Sequence, residues 1–206
     1  MLFRLNMKRY DIINYLTSKF PDCKYLEIGS GEGDCFKRIK AKLKHDVEPY
    51  TTRNPTFRMT SDYFFENERY ELLNTTFRFR QYDVIFIDGL HHCEQVIKDI
   101  HSSLFHLSEN GYIVVHDCLP LKKEWQEREQ TELNWMGDVW RAQVWLVKNF
   151  YESVLTIDED CGCGIIRNIR FTIPPIDELL SISWEDFEKN KNEMLNLISF
   201  KEFKNE

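Results

Sequence analysis

The chain switches repeatedly between two hydrophobic periods. Residues 25–28, Tyr-Leu-Glu-Ile, read as a short buried strand running straight into Gly29-Ser30-Gly31-Glu32-Gly33. Residues 82–87, Tyr-Asp-Val-Ile-Phe-Ile, are almost continuously apolar and end in Asp88-Gly89, the pattern of a central parallel strand covered on both faces. Residues 112–115 form another buried strand, ending in His116-Asp117. Between these runs the period becomes helical. Tyr10, Ile13, Leu16 and Phe20 predict a helix over 8–20, stopped by Pro21-Asp22. Phe36, Ile39 and Leu43 predict an amphipathic helix over 34–43. Val96, Ile97, Ile100, Leu104 and Phe105 predict one over 94–107, ended by Glu109-Asn110-Gly111. A second strand is expected at 45–48 and a third at 57–60, with Ser61-Asp62 capping a short helix through Phe65. Strands alternating with helices through short links predict a parallel α/β sheet.

After Pro120 the pattern changes. Residues 122–132 are highly charged, suited to a lid, and Trp135-Met136-Gly137-Asp138-Val139-Trp140 leads into a helix reaching about Phe150. Residues 153–157 and 164–169 read as a hairpin, and 176–203 as one or two short amphipathic helices.

With 206 residues the chain suits one domain with a sizeable core. That domain divides into an N-terminal helix (1–22), a cofactor-binding half (23–118), a lid and substrate-side helix (119–150), the hairpin (151–170) and a helical tail (171–206). The net charge of −7 argues against broad nucleic-acid binding. There is no long apolar run for a membrane span and no signal peptide, so a cytoplasmic protein is expected. The six cysteines show no CxxC pair, which argues for reduced thiols over structural zinc; Cys161-Gly162-Cys163 is a weak redox or metal cue.

In an open parallel sheet, ligands bind beyond the carboxyl ends of the strands, and the polar candidates gather there. Gly29, Ser30, Gly31 and Gly33 follow the first strand, where bare backbone lets a ligand approach closely. Glu48, roughly twenty residues beyond the first glycine, suits the two hydroxyls of a ribose. Ser61-Asp62 suit either an adenine edge or a plain helix cap. Asp88, His91 and His92 follow the fourth strand and His116-Asp117 the fifth.

In these motifs the chain resembles the class I S-adenosylmethionine-dependent methyltransferases. Residues 25–33 look like their first motif, with acidic Glu27 ahead of a G-x-G-x-G turn. Phe86-Ile87-Asp88-Gly89-Leu90-His91, then Val114-Val115-His116-Asp117, then Gly137-Asp138-Val139-Trp140 resemble a small-molecule and sugar O-methyltransferase-like subgroup over about 24–167. The resemblance implies a Rossmann-like, doubly wound, mostly parallel seven-stranded sheet with a C-terminal antiparallel hairpin. It implies S-adenosylmethionine as cofactor, held by Glu27, Gly29, Ser30, Gly31, Gly33, Glu48, Ser61, Asp62 and Asp88. A carboxylate such as Glu27 or Asp88 suits a sulfonium cation better than a pyrophosphate.

An alcohol acceptor must also lose its proton, to a base or with a metal's help. His116, Asp117 and His91 are the catalytic candidates. The related metal-dependent enzymes imply Mg2+ or another divalent cation at Asp88, His116 and Asp117, although a histidine stands where many relatives have an acid and magnesium prefers oxygen. His92, Trp135, Asp138 and Trp140 are candidates for the substrate side; the two tryptophans suit either ring stacking or the core. The expected partner is a small hydroxylated acceptor, a sugar among the choices, with neither nucleic acid nor membrane; a homodimer is compatible with the sequence. Two other readings stay open: a non-catalytic binding module with this fold, and a nicotinamide-dependent Rossmann-type enzyme.

Overall fold

In the computed structural model, which describes residues 7–74, 80–131 and 134–205, β3 (Tyr82–Ile87) runs through the interior of a seven-stranded sheet. Its Val84, Ile85, Phe86 and Ile87 are all buried, because layers pack on both faces. β1 (Lys24–Ile28) and β4 (Leu107–Val115) flank it in parallel, and β2 (Leu43–Val47) pairs in parallel with β1. The hairpin of β5 (Val154–Ile157) and β6 (Cys163–Ile166) follows, with β6 antiparallel to both β4 and β5. β7 (Leu197–Ile198) runs parallel to β5, giving the order β2-β1-β3-β4-β6-β5-β7.

Period-two alternation sorts the strand side chains onto two faces. Leu26, Ile85, Ile87 and Ile113 join Phe64 of α2 (Ser61–Asn74), Ile97 and Ile100 of α3 (Cys93–His106) and Leu146 of α4 (Val139–Phe150). Tyr25, Val84, Phe86 and Val114 join Ile12, Ile13 and Leu16 of α1 (Arg9–Thr17) and Phe200 and Phe203 of α7 (Phe200–Phe203). The sheet is therefore doubly wound and Rossmann-like, as the motifs implied. α5 (Ile176–Leu180) and α6 (Trp184–Met194) lie toward the C-terminus, and α6 contributes Trp184 and Phe187 to a third cluster around Trp140. No described helix is long and apolar enough to cross a membrane.

Several local expectations are corrected. Residues 34–43 hold only a 3-10 turn at Phe36–Arg38, and Leu43 already belongs to β2. The crossover is too short to hold both the glycine turn and an α-helix. The expected strand at 57–60 reduces to an isolated bridge between Val47 and Phe57. The helix after it extends to Asn74, and Thr60 rather than Ser61 caps it: Tyr63 N donates to Thr60 Oγ1 at 3.3 Å. Glu109-Asn110-Gly111 does not end a helix but lies within β4, where Asn110 takes φ +64° and the register against β3 jumps. β7 was not foreseen, because two residues are too few to show alternation.

Candidate active site

β1 to β4 run in one direction, and β5 runs with them because two antiparallel steps restore it. Their carboxyl ends meet around a cavity of about 1230 Å³. Glu27, Gly29, Ser30, Gly31 and Glu48 line it on one side, with Ser61 and Asp62 beside them. Asp88, His91, His116, Asp117 and Trp135 line the other. Gly33, His92, Asp138 and Trp140 are not part of its wall.

The glycine turn is clamped from outside. Arg53 Nε donates to the Gly31 carbonyl at 2.9 Å, and its Nη2 reaches Ser30 Oγ and Asp46. Asp46, 1 % exposed, also accepts from Ser30 Oγ, Thr56 N and Thr56 Oγ1, each at 2.8 Å, which holds its pKa below the ordinary value despite burial. Gly33 lies against the Arg53 side chain, which keeps it from the cavity. Glu48 accepts from Gly31 N and Tyr50 N, both at 2.8 Å, so its carboxylate is oriented before any ligand arrives. At the floor, Tyr25 Oη donates to Glu27 Oε2 at 2.5 Å. Burial pushes Glu27 up to about 8, so this acid is mostly protonated at neutral pH. Across from it, Gln95 Nε2 donates to Ser61 Oγ at 3.3 Å and to Asp62 and Asp99 at 3.0 Å. Burial raises Asp99 to about 7.

The ends of β3, β4 and the hairpin turn build a compact charged cluster. His116 Nε2 donates to the Asp160 carbonyl at 2.7 Å, while its Nδ1 lies 3.0 Å from Asp117 Oδ1 and 3.4 Å from Asp88 Oδ1. His91 lies between the carboxylates, Nε2 3.4 Å from Asp88 and Nδ1 3.5 Å from Asp117, and its buried Nδ1 has no hydrogen-bond partner among the described residues. Asp117 and Asp160 adopt φ +60° and +46°, left-handed conformations that cluster at functional sites when non-glycine residues hold them. Burial works against the imidazolium of His116, but Asp88 and Asp117 outweigh it and raise its pKa well above the ordinary value. Burial likewise opposes ionisation of Asp88, yet His116, His91 and Arg9 hold it well below the usual carboxylate range.

Arg9, from α1, was not foreseen. Its Nη1 lies 2.7 Å from Asp88 Oδ2 and 3.0 Å from His116 Nδ1, and its Nε donates to Asp160 Oδ2 at 3.1 Å. Asp88, His116 and Asp117 present ligand atoms within 4.8 Å of one another, close enough to share a metal ion. The folded cluster nonetheless does not fit one, because Arg9 stands among these groups. Its Nη1 already occupies Asp88, and at an effective dielectric near 20 and ~4 Å its charge alone would repel a divalent ion by on the order of 8 kcal/mol, cancelling the attraction of one neighbouring carboxylate.

Of the remaining candidates, His92, Asp138 and Trp140 serve the wall rather than line it. Asp138, 1 % exposed, accepts from Cys93 N at 2.8 Å at the start of α3, where a carboxylate meets unpaired N–H groups. Trp140 is fully buried, 4.1 Å between ring centroids from Phe187. His92 precedes α3 and bonds the Arg128 carbonyl through Nε2 at 3.0 Å. Trp135 stacks on His91 at 5.0 Å and bonds the Glu127 carbonyl, and Trp125 of the charged segment also lines the cavity. Cys161 and Cys163 are free thiols.

Residues 26–118 match the family model of a methyltransferase domain. No curated protein sequence matches the chain. Among solved structures it is similar to an O-methyltransferase from Bacillus cereus in complex with S-adenosylhomocysteine, at 13% identity and TM-score 0.43, over 77% of this chain and 80% of that one. It is also similar to a methyltransferase of Podospora anserina bound to S-adenosylhomocysteine, at 17% identity and TM-score 0.47, over 76% and 75% of the two chains. A third is the O-methyltransferase TomG from Streptomyces achromogenes, in complex with S-adenosylmethionine, at 12% identity and TM-score 0.44, over 77% and 79%. The matched segment, from β1 to just past the end of β4, contains the glycine turn, Glu48, Asp88 and His116-Asp117, and over these residues the chain is similar to a methyltransferase domain.

Proposed function

We propose that the chain transfers a methyl group from S-adenosylmethionine to a hydroxyl of a small molecule, sugars included. The observation that carries this reading is the cavity wall: bare backbone at Gly31 beside the carboxyl groups of Glu27, Glu48 and Asp88. A sulfonium nucleoside brings positive charge and a ribose to such a wall. A pyrophosphate, as in nicotinamide cofactors, would meet these acids without the helix N-terminus that usually holds it, since only a 3-10 turn follows the glycines.

In this reading Glu48 receives the ribose hydroxyls, while Ser61, Asp62 and Gln95 face the adenine. Glu27 faces the positive end of the cofactor. His116 stays protonated and fixes Asp117, which faces the acceptor. The acceptor hydroxyl gives its proton to the Asp117 carboxylate as an oxygen lone pair attacks the methyl carbon. The carbon–sulfur bond breaks, its electron pair stays on sulfur, and the products are a methyl ether and S-adenosylhomocysteine; the proton then passes to solvent. In-line positioning supplies much of the rate.

Calorimetry with S-adenosylmethionine tests the reading, with an expected affinity that is micromolar or tighter. Its pH dependence has a definite sign. Glu27 must lose a proton to face a cation, so below its pKa of about 8 binding releases that proton. Affinity then falls about tenfold per pH unit below that point and levels off above it. The cofactor's own amino group titrates nearby, so Glu27→Gln is the control: its slope is shallower than that of the wild type. Failure of both S-adenosylmethionine and S-adenosylhomocysteine to bind at any pH defeats the proposal.

A further inference from the structure

We propose that Arg9 is the built-in cation of the acceptor site: it stands where a divalent ion would bind and holds the acceptor oxygen itself. This rests on the methyl-transfer reading above and deepens it. Arg9 is more than an anchor for α1, because Ile12, Ile13 and Leu16, all fully buried, already fix that helix to the sheet. Its guanidinium instead reaches across to three elements distant in sequence: Asp88 after β3, His116 after β4 and Asp160 in the hairpin turn. Nε and Nη1 are taken by these contacts. Nη2 makes no hydrogen bond among the described residues, and Arg9 lines the cavity, so this N–H pair is free for an acceptor oxygen beside Asp117. A guanidinium keeps its charge throughout the accessible pH range and offers the planar pair of donors that an oxygen acceptor needs.

The same substitution recurs at a second place. Cys93, Glu94 and Asp138 also present ligand atoms within 4.8 Å of one another, and there Arg128 fills the position, with Nη1 2.6 Å from Asp138 Oδ2 and 3.1 Å from Glu94 Oε2. Both donor clusters found among the described residues are thus bonded by an arginine.

Manganese titration of the full chain, followed by electron paramagnetic resonance of the free ion, tests this. The wild type is expected to leave the Mn2+ signal unchanged at ~0.1 mM, whereas Arg9→Met, which keeps an unbranched apolar stem but not the charged head, takes up one ion at least tenfold more tightly. S-adenosylmethionine calorimetry on the same samples reports separately on the methyl-transfer reading and on the fold of the variant. Saturable Mn2+ uptake by the wild type overturns the proposal, and so does a folded Arg9→Met that ignores the ion. If Arg9→Met does not fold, the wild-type titration alone decides.

Discussion

Gly29→Ala is expected to lower stability by about 2–5 kcal/mol, the sum of left-handed strain and overpacking. Gly29 holds φ +81°, and a Cβ there would overlap the Asp88 carbonyl and the Gly89 Cα. Neither neighbour is a flexible side-chain tip. Both belong to the backbone that leaves β3, where Asp88 N donates to the Ile28 carbonyl at 2.8 Å. Relief requires the ends of β1 and β3 to part, which also moves Asp88. For a chain of this length the loss corresponds to a fall in melting temperature on the order of 10 °C. A thermal melt within about 2 °C of the wild type would mean that this junction is looser than described.

Gly31→Val is expected to act on binding instead. Gly31 has φ +47°, but a Cβ there meets nothing within 4 Å because it points into open space at the cavity wall. The fold bears only left-handed strain, about 1–2 kcal/mol. The isopropyl group, however, takes the space where the cofactor would lie against bare backbone, and affinity should fall at least ~100-fold, about 2.7 kcal/mol. Gly31→Ala separates the two effects, since it carries most of the strain and little of the bulk. Calorimetry with S-adenosylhomocysteine on both variants gives the comparison, and equal affinity for valine and wild type would place the cofactor elsewhere.

The strands at 25–28 and 82–87 were legible because an uninterrupted apolar run between turn residues has few other solutions. The gathering of Gly31, Glu48, Asp88, His116 and Asp117 at one rim followed from parallel topology alone. Residues 34–43 misled because periodicity says nothing about how little chain a crossover has to spend. Trp140 and Asp138 sit beside site residues in sequence, yet one fills the core and the other receives the start of α3. Arg9 and Asp160 were invisible for the opposite reason. One is a charge on an N-terminal helix and the other an acid in a hairpin turn, and only the folded sheet brings them together, 151 residues apart. Gln95 likewise looks like an ordinary exposed helix position until α2 is placed beside α3.

The most direct test is a crystal structure grown with S-adenosylhomocysteine. The account places the ribose at Glu48, the glycine turn against the cofactor at Gly31, and the sulfur on the side of the cavity bordered by Asp88 and Asp117. Density for the cofactor outside this rim, or a hollow beside Gly31 filled by the protein's own side chains, would contradict it.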